Sequence, residues 1–183
     1  MLGEFCGPQD VVGQPGDLEG HQARGKNRIG GNHVLPGLIR RNVTKKQWDS
    51  YYKFTIVRNP WDEIVSRFWH DIQKGRIENI DLNRFSEVRE RFEGFLPNQY
   101  NINLQYYISE SKLLADHYMR FENLSEEYRL ICDKINIPYK TMIRMKSHYR
   151  KDKRPYPEYY SESGKEMVYD RFRETIDIFG YEF

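Results

Sequence analysis

Arg58 and Ser66 are the residues whose types and spacing point most directly to chemistry. They stand eight apart in the stretch FTIVRNPWDEIVSRFWHDI, residues 54–72. A guanidinium is permanently charged and presents a planar fork of donors that matches phosphate or sulfate oxygens, and a nearby hydroxyl adds another donor. Such a pair can grip one anion. The other concentration of charge is RMKSHYRKDKR, residues 144–154, the one dense basic cluster in the chain. A short Lys/Arg run of this kind binds polyanions through phosphate or sulfate contacts, or is simply a solvated loop. No spacing of His, Cys, Asp and Glu suggests a metal site, and no G-x-S-x-G motif suggests a serine hydrolase.

An anion grip works only if its elements hold it still. Phe54, Thr55, Ile56 and Val57 form a β-branched and aromatic run suited to a buried strand. Asn59 then fits an N-cap, and Pro60 fits the first helical position, where a missing N–H costs nothing. From Trp61 the apolar residues Ile64, Val65, Phe68, Trp69 and Ile72 follow the period of a helix with one buried stripe. Ser66 lies off that stripe, on the flank of Asn59 and roughly 10 Å along the axis from it. The strand's C-terminal end and the helix's N-terminus therefore meet at Arg58, the edge at which open α/β sheets bind ligands.

The segment VRNPWDEIVSRF resembles the 3′-phosphate-binding segment of sulfotransferases that use 3′-phosphoadenosine 5′-phosphosulfate (PAPS), in particular the heparan- and chondroitin-type carbohydrate sulfotransferases and their bacterial relatives. The resemblance extends upstream through WDSYYKF and downstream through MRFENL and the closing YPEYYSESGKEMVYDRFRETIDIFGYEF, from about His33 to Phe183. It implies that Arg58 and Ser66 hold the 3′-phosphate of PAPS. It further implies that His33 is the catalytic base taking the acceptor's hydroxyl proton, a task suited to an imidazole titrating near neutrality. The 144–154 cluster stands where the family folds a basic loop over the nucleotide, making Lys151, Lys153 and Arg154 cofactor-binding candidates. The implied fold is α/β, a parallel sheet flanked by helices in a P-loop NTPase-like sulfotransferase arrangement. The implied reaction transfers a sulfuryl group from PAPS to a hydroxyl, on a carbohydrate, and leaves adenosine 3′,5′-bisphosphate.

The family opens with a strand and a Lys-x-Gly/Ala-Gly-Thr-Ser loop that binds the 5′ end of PAPS. Residues 1–30 are glycine-rich and polar, and although they contain Gly25-Lys26 and Gly30-Gly31, no apolar strand precedes these and no Ser or Thr directly follows the lysine. The expectation is a poorly ordered arm over 1–30 and an N-terminally truncated sulfotransferase-like domain over 31–183. Two other readings stay open: a catalytically inactive nucleotide-binding paralogue or fragment, and a polyanion-binding module built on the 144–154 cluster. The module would bind salt-sensitively and be indifferent to loss of Arg58.

Composition bounds these readings. The 183 residues carry a net charge of +2 with 31% charged residues, so no bulk field draws the chain to nucleic acid. Aromatics at 15%, including 14 Tyr, favour a packed core over disorder. Two cysteines, Cys6 and Cys132, form no disulfide framework, so free thiols in the cytoplasm are expected, or the Golgi lumen if an anchor precedes the chain. No run approaches the roughly 18 apolar residues of a membrane span.

Further elements follow from pattern. Thr44 caps a short helix carrying Trp48 as core; 82–95 is a helix whose Arg and Glu residues alternate on a solvated face, joined by i, i+3 and i+4 pairs. Residues 115–121 read as a strand, followed by a helix capped by Ser125. Ser163 and Glu166 read as a capping box opening the last helix, with Gly180 as its stop.

Overall fold

A computed structural model describes residues 34–141 and 149–183, together with the backbone of two short strands, β1 (Val11–Val12) and β2 (Asn27–Arg28), which pair in parallel. The remaining elements, in order, are α1 (Pro36–Arg41), α2 (Lys45–Ser50), β3 (Phe54–Val57), α3 (Pro60–Gln73), α4 (Phe85–Phe95), α5 (Leu104–Tyr107), β4 (Ile108–Ser109), β5 (Lys112–Leu113), β6 (His117–Arg120), α6 (Leu124–Lys134) and α7 (Glu162–Phe179). The architecture is α/β, with small parallel pairings and one antiparallel pair, β4 with β5, among helices. Among the described residues no helix is long and apolar enough to cross a membrane.

The chain divides into two compact units. The first comprises Met1–Ile56, Gln105–Met119 and Asn123–Met142. In it β3 pairs with β6. The carbonyl of Lys53, at the start of β3, accepts the N–H groups of Asp116 and His117 at the start of β6, so the two strands run in the same direction. Met119, Tyr128, Ile131 and Cys132 form the core of this unit, with Phe54, Leu124 and Ile135 packed against it. Thr44 caps α2 as expected, in a reciprocal box with Gln47. Trp48 is not core: it is half-buried, with Arg40 and Lys53 5.9 and 5.8 Å from its ring centroid. A 3-10 turn, Phe121–Asn123, runs directly into α6, so Ser125 lies inside the helix and the N-cap position falls at Asn123.

The second unit comprises Val57–Leu104, Arg120–Glu122 and Ile143–Phe183. Its core is the predicted stripe of α3, with Trp61, Ile64, Val65, Phe68 and Trp69 all buried. Phe68 meets Phe92 and Phe95 edge-on, with ring centroids 5.4 and 5.5 Å away. The charged residues of α4 are used differently from the expected solvated lacework. Glu93 accepts the backbone N–H of Ser161 at 2.6 Å, and Arg89 donates to the carbonyl of Tyr160 at 3.0 Å, so α4 fixes the turn that opens α7. Helix α7 starts two residues earlier than its sequence pattern predicts: Ser161, not Ser163, is the N-cap, accepting from Gly164 N–H at 3.1 Å. Gly164 suits this frame because a Cβ there would meet Glu93 Oε2 and Leu96 Cδ1 at 2.8 Å. At the other end Gly180 adopts φ +60°, and its N–H closes on the carbonyl of Ile176.

Two outcomes are expected from this packing. Phe68→Ala empties a fully buried site between three aromatic rings and should cost about 3–5 kcal/mol in denaturant unfolding. Asp116 accepts the backbone N–H of Lys53 at 2.8 Å, which holds its carboxyl below the ordinary value of 3.8. Its contribution to stability is present above that value and is lost as pH falls through the lower folded-state pKa. In acid titrations of unfolding, Asp116→Asn should therefore flatten the pH dependence below about pH 4 and lower stability at neutral pH.

Candidate functional site

The site lies in the second unit, at the start of α3. Pro60 opens the helix, and the carboxamide oxygen of Asn59 accepts the N–H groups of Trp61 at 3.0 Å and Asp62 at 3.4 Å. Asn59 is 7% exposed, and the rest of its polar capacity is also used. Its Nδ2 donates to the Glu182 carbonyl at 2.9 Å and to the Tyr156 hydroxyl at 3.3 Å, while its backbone N–H donates to Glu122 Oε1 at 2.7 Å. Tyr160 donates to the Trp61 carbonyl at 2.9 Å. Burial pushes the hydroxyls of Tyr156, Tyr159 and Tyr160 above the ordinary value of 10, so they stay protonated and serve as fixed hydrogen-bonding posts.

Arg58 stands immediately before this cap. Its Nε and Nη2 both reach Asp62 Oδ2, at 2.7 and 2.6 Å, and its guanidinium lies 4.2 Å from the centroid of the exposed Phe121 ring. Ser66 lies one turn beyond Asp62 on the same flank, partly exposed, and its hydroxyl has no hydrogen-bond partner among the described residues. His70 follows one turn later, half-exposed, 3.5 Å from Asp71 and with its ring centroid 5.8 Å from that of Tyr149.

The other predicted residues divide. His33 lies outside the described residues. Lys151 and Lys153 are exposed. Arg154 points to its own neighbourhood, pairing with Asp152 at 2.8 Å and stacking on Phe85 at 4.0 Å. The member of the basic cluster that reaches the junction is Arg150, absent from the candidates that sequence singles out. Its Nη1 lies 3.3 Å from Asp62 Oδ1, so one carboxylate is shared by two guanidiniums. Arg150 also donates from Nε to the Asp152 carbonyl at 3.0 Å and from Nη2 to the Arg154 carbonyl, bracing its own loop. Arg150 carries no local signal in the sequence, because its partner is 88 residues away.

The two guanidiniums of Arg58 and Arg150 are balanced in formal charge by Asp62 and by Glu122, whose Oε1 takes the Asn59 N–H, and the Ser66 hydroxyl stands one turn along the helix. Their forks are donors of the kind that an oxyanion with several acceptor oxygens can use. Among the described residues no group of three His, Cys, Asp or Glu side chains is placed to hold a metal ion.

The chain is 29% identical to an uncharacterized protein of Archaeoglobus fulgidus over 118 residues, covering 62% of this chain and 95% of that one. No family model matches the chain. No solved structure matches it either.

Asn59 separates two of the site's functions, since an aspartate there would keep the capping acceptor but lose both donors. Asn59→Asp should still lower stability by about 1–3 kcal/mol, because the Glu182 carbonyl and Tyr156 hydroxyl lose their shared donor. Helix content at low temperature should be unchanged. Thermal unfolding monitored by circular dichroism reads both quantities.

Proposed function

We propose that the chain is a PAPS-type sulfotransferase, with a P-loop-like fold, that holds the 3′-phosphate of its nucleotide between Arg58 and Ser66. The observation that carries this reading is a strand-end guanidinium beside the N-cap of a helix whose flank bears the Ser66 hydroxyl, which has no hydrogen-bond partner among the described residues. The sequence resemblance over most of the chain supplies the nucleotide's identity. In this reading His33 accepts the proton of an acceptor hydroxyl, on a saccharide, as its oxygen attacks the sulfur of PAPS. The sulfuryl group passes to that oxygen, and adenosine 3′,5′-bisphosphate leaves.

Nucleotide retention is the part of this reading most open to direct measurement. Calorimetric titration of adenosine 3′,5′-bisphosphate should show saturable binding. Arg58→Ala should weaken it roughly 10- to 100-fold, the loss of a charge-assisted pair of hydrogen bonds, and Ser66→Ala by a few-fold. AMP, which lacks the 3′-phosphate, should bind wild type no better than the bisphosphate binds Arg58→Ala. Binding without sulfuryl transfer would leave a nucleotide-binding chain. Salt-sensitive binding of polyanions unaffected by Arg58→Ala would replace the reading with the basic-cluster module. A folded chain that binds neither ligand would remove it.

A further inference from the structure

We propose that Asp62 is an exchangeable internal counter-ion. It occupies Arg58 and Arg150 when no ligand is bound, gives way to a dianionic phosphate monoester, and thereby couples occupancy of the site to the hold on the 150–154 segment. The ligand's identity as a nucleotide rests on the reading above; the exchange itself rests on the geometry of three side chains.

The Asp62 carboxylate spends both of its oxygens on arginines. Oδ2 takes Nε and Nη2 of Arg58 at 2.7 and 2.6 Å, and Oδ1 takes Nη1 of Arg150 at 3.3 Å. All three side chains are about one-fifth exposed, so the cluster is reachable from solvent without being fully screened by it. The donors that an incoming anion needs are thus already engaged by an anion belonging to the protein. A ligand can use Arg58 only by displacing or crowding this carboxylate. A monoanion offers two guanidiniums no more charge than Asp62 does, and brings the repulsion of a second negative group. A phosphate monoester carries close to two charges near neutral pH and three terminal oxygens, enough to satisfy both forks at once. Asp62 therefore sets a charge threshold: it penalises every anion and leaves dianions as the ones that compete well.

Arg150 links this threshold to the loop. Its Nε and Nη2 are bonded to the carbonyls of Asp152 and Arg154, so the contact with Asp62 fastens the whole 150–154 segment to the first turn of α3. Weakening that contact removes one of the segment's fastenings, leaving the Arg154 stack on Phe85 and the approach of Arg150 to the Tyr159 ring, and so loosens it, with Lys151 exposed upon it.

The test is Asp62→Asn, which keeps side-chain size and the backbone N–H that Asn59 receives while removing the charge. Inorganic phosphate, titrated by calorimetry near pH 7.5, should bind the variant about tenfold more tightly than wild type. Methyl sulfate, a monoanion, should bind wild type more weakly than phosphate does. Hydrogen exchange of the amides over 150–154, measured without ligand, should be faster in Asp62→Asn and in Arg150→Gln than in wild type. The second variant tests the tether even if the first folds poorly. Phosphate affinity unchanged or weakened in a folded Asp62→Asn would overturn the exchange, as would unaltered exchange rates in both variants. If phosphate binding tightens while adenosine 3′,5′-bisphosphate binds no better than phosphate, the exchange stands and the nucleotide reading falls.

Discussion

The carboxamide of Asn59 uses its oxygen and its nitrogen on different parts of the chain, and much of the second unit depends on that division. The oxygen satisfies N–H groups that an α-helix leaves without partners at its start, fixing where α3 begins. The nitrogen holds the Glu182 carbonyl and Tyr156, which lie more than ninety residues away in sequence. A buried amide with all of its polar atoms engaged cannot shift without leaving several groups unpaired, and each such group costs more than an ordinary hydrogen bond contributes. The start of α3, the last residues of the chain and the turn before α7 are consequently set by one side chain. Arg58 stands next to that fixed point, and its position follows from it.

The aromatic packing below this junction supplies the cohesion that the polar cap lacks. Trp61, Phe68 and Trp69 of α3 are buried in company with Phe92, Tyr159 and Tyr160, and the tyrosine hydroxyls and tryptophan N–H groups find partners inside. Burial keeps those hydroxyls neutral, so the interior beneath the arginines gains no competing charge. The ionic groups are confined to the rim, where water still reaches them. This division explains how a cluster of two guanidiniums and one carboxylate can be rearranged by a ligand without disturbing the core.

Local rules made the junction legible and long-range ones hid its electrostatics. The Asn59 cap, Pro60 at the first helical position and the buried stripe, except for the half-buried Ile72, obey short-range patterns, as do the Thr44 box and the Gly180 stop. The run Phe54–Val57 forms its strand where expected, but only Val57 is buried and Ile56 is exposed. The capping pattern of the last helix pointed to Ser163, and a contact outside that pattern decides otherwise. Ser161 prevails over Ser163 because Glu93 takes its N–H and because this frame places the side-chain-free residue 164 against α4. The alternating charges of α4 satisfy the pattern of a solvated face, yet Arg89 and Glu93 are spent on the backbone of the turn before α7. Arg150 is the clearest case: nothing in a run of basic residues tells which one has a carboxylate waiting 88 positions earlier.

The close approach at Gly164 has a consequence for how α7 can vary. With no side chain at that point, the first turn of α7 reaches the side chains of Glu93 and Leu96, and a larger residue would have to push the ends of both aside. One turn further on, the residues that complete the core are Val168, Phe172 and Ile176. The glycine therefore acts as a depth gauge. It fixes how far α7 sinks, and through that the register in which those three side chains enter the interior, so changes in their size can be absorbed along the helix only while position 164 stays bare.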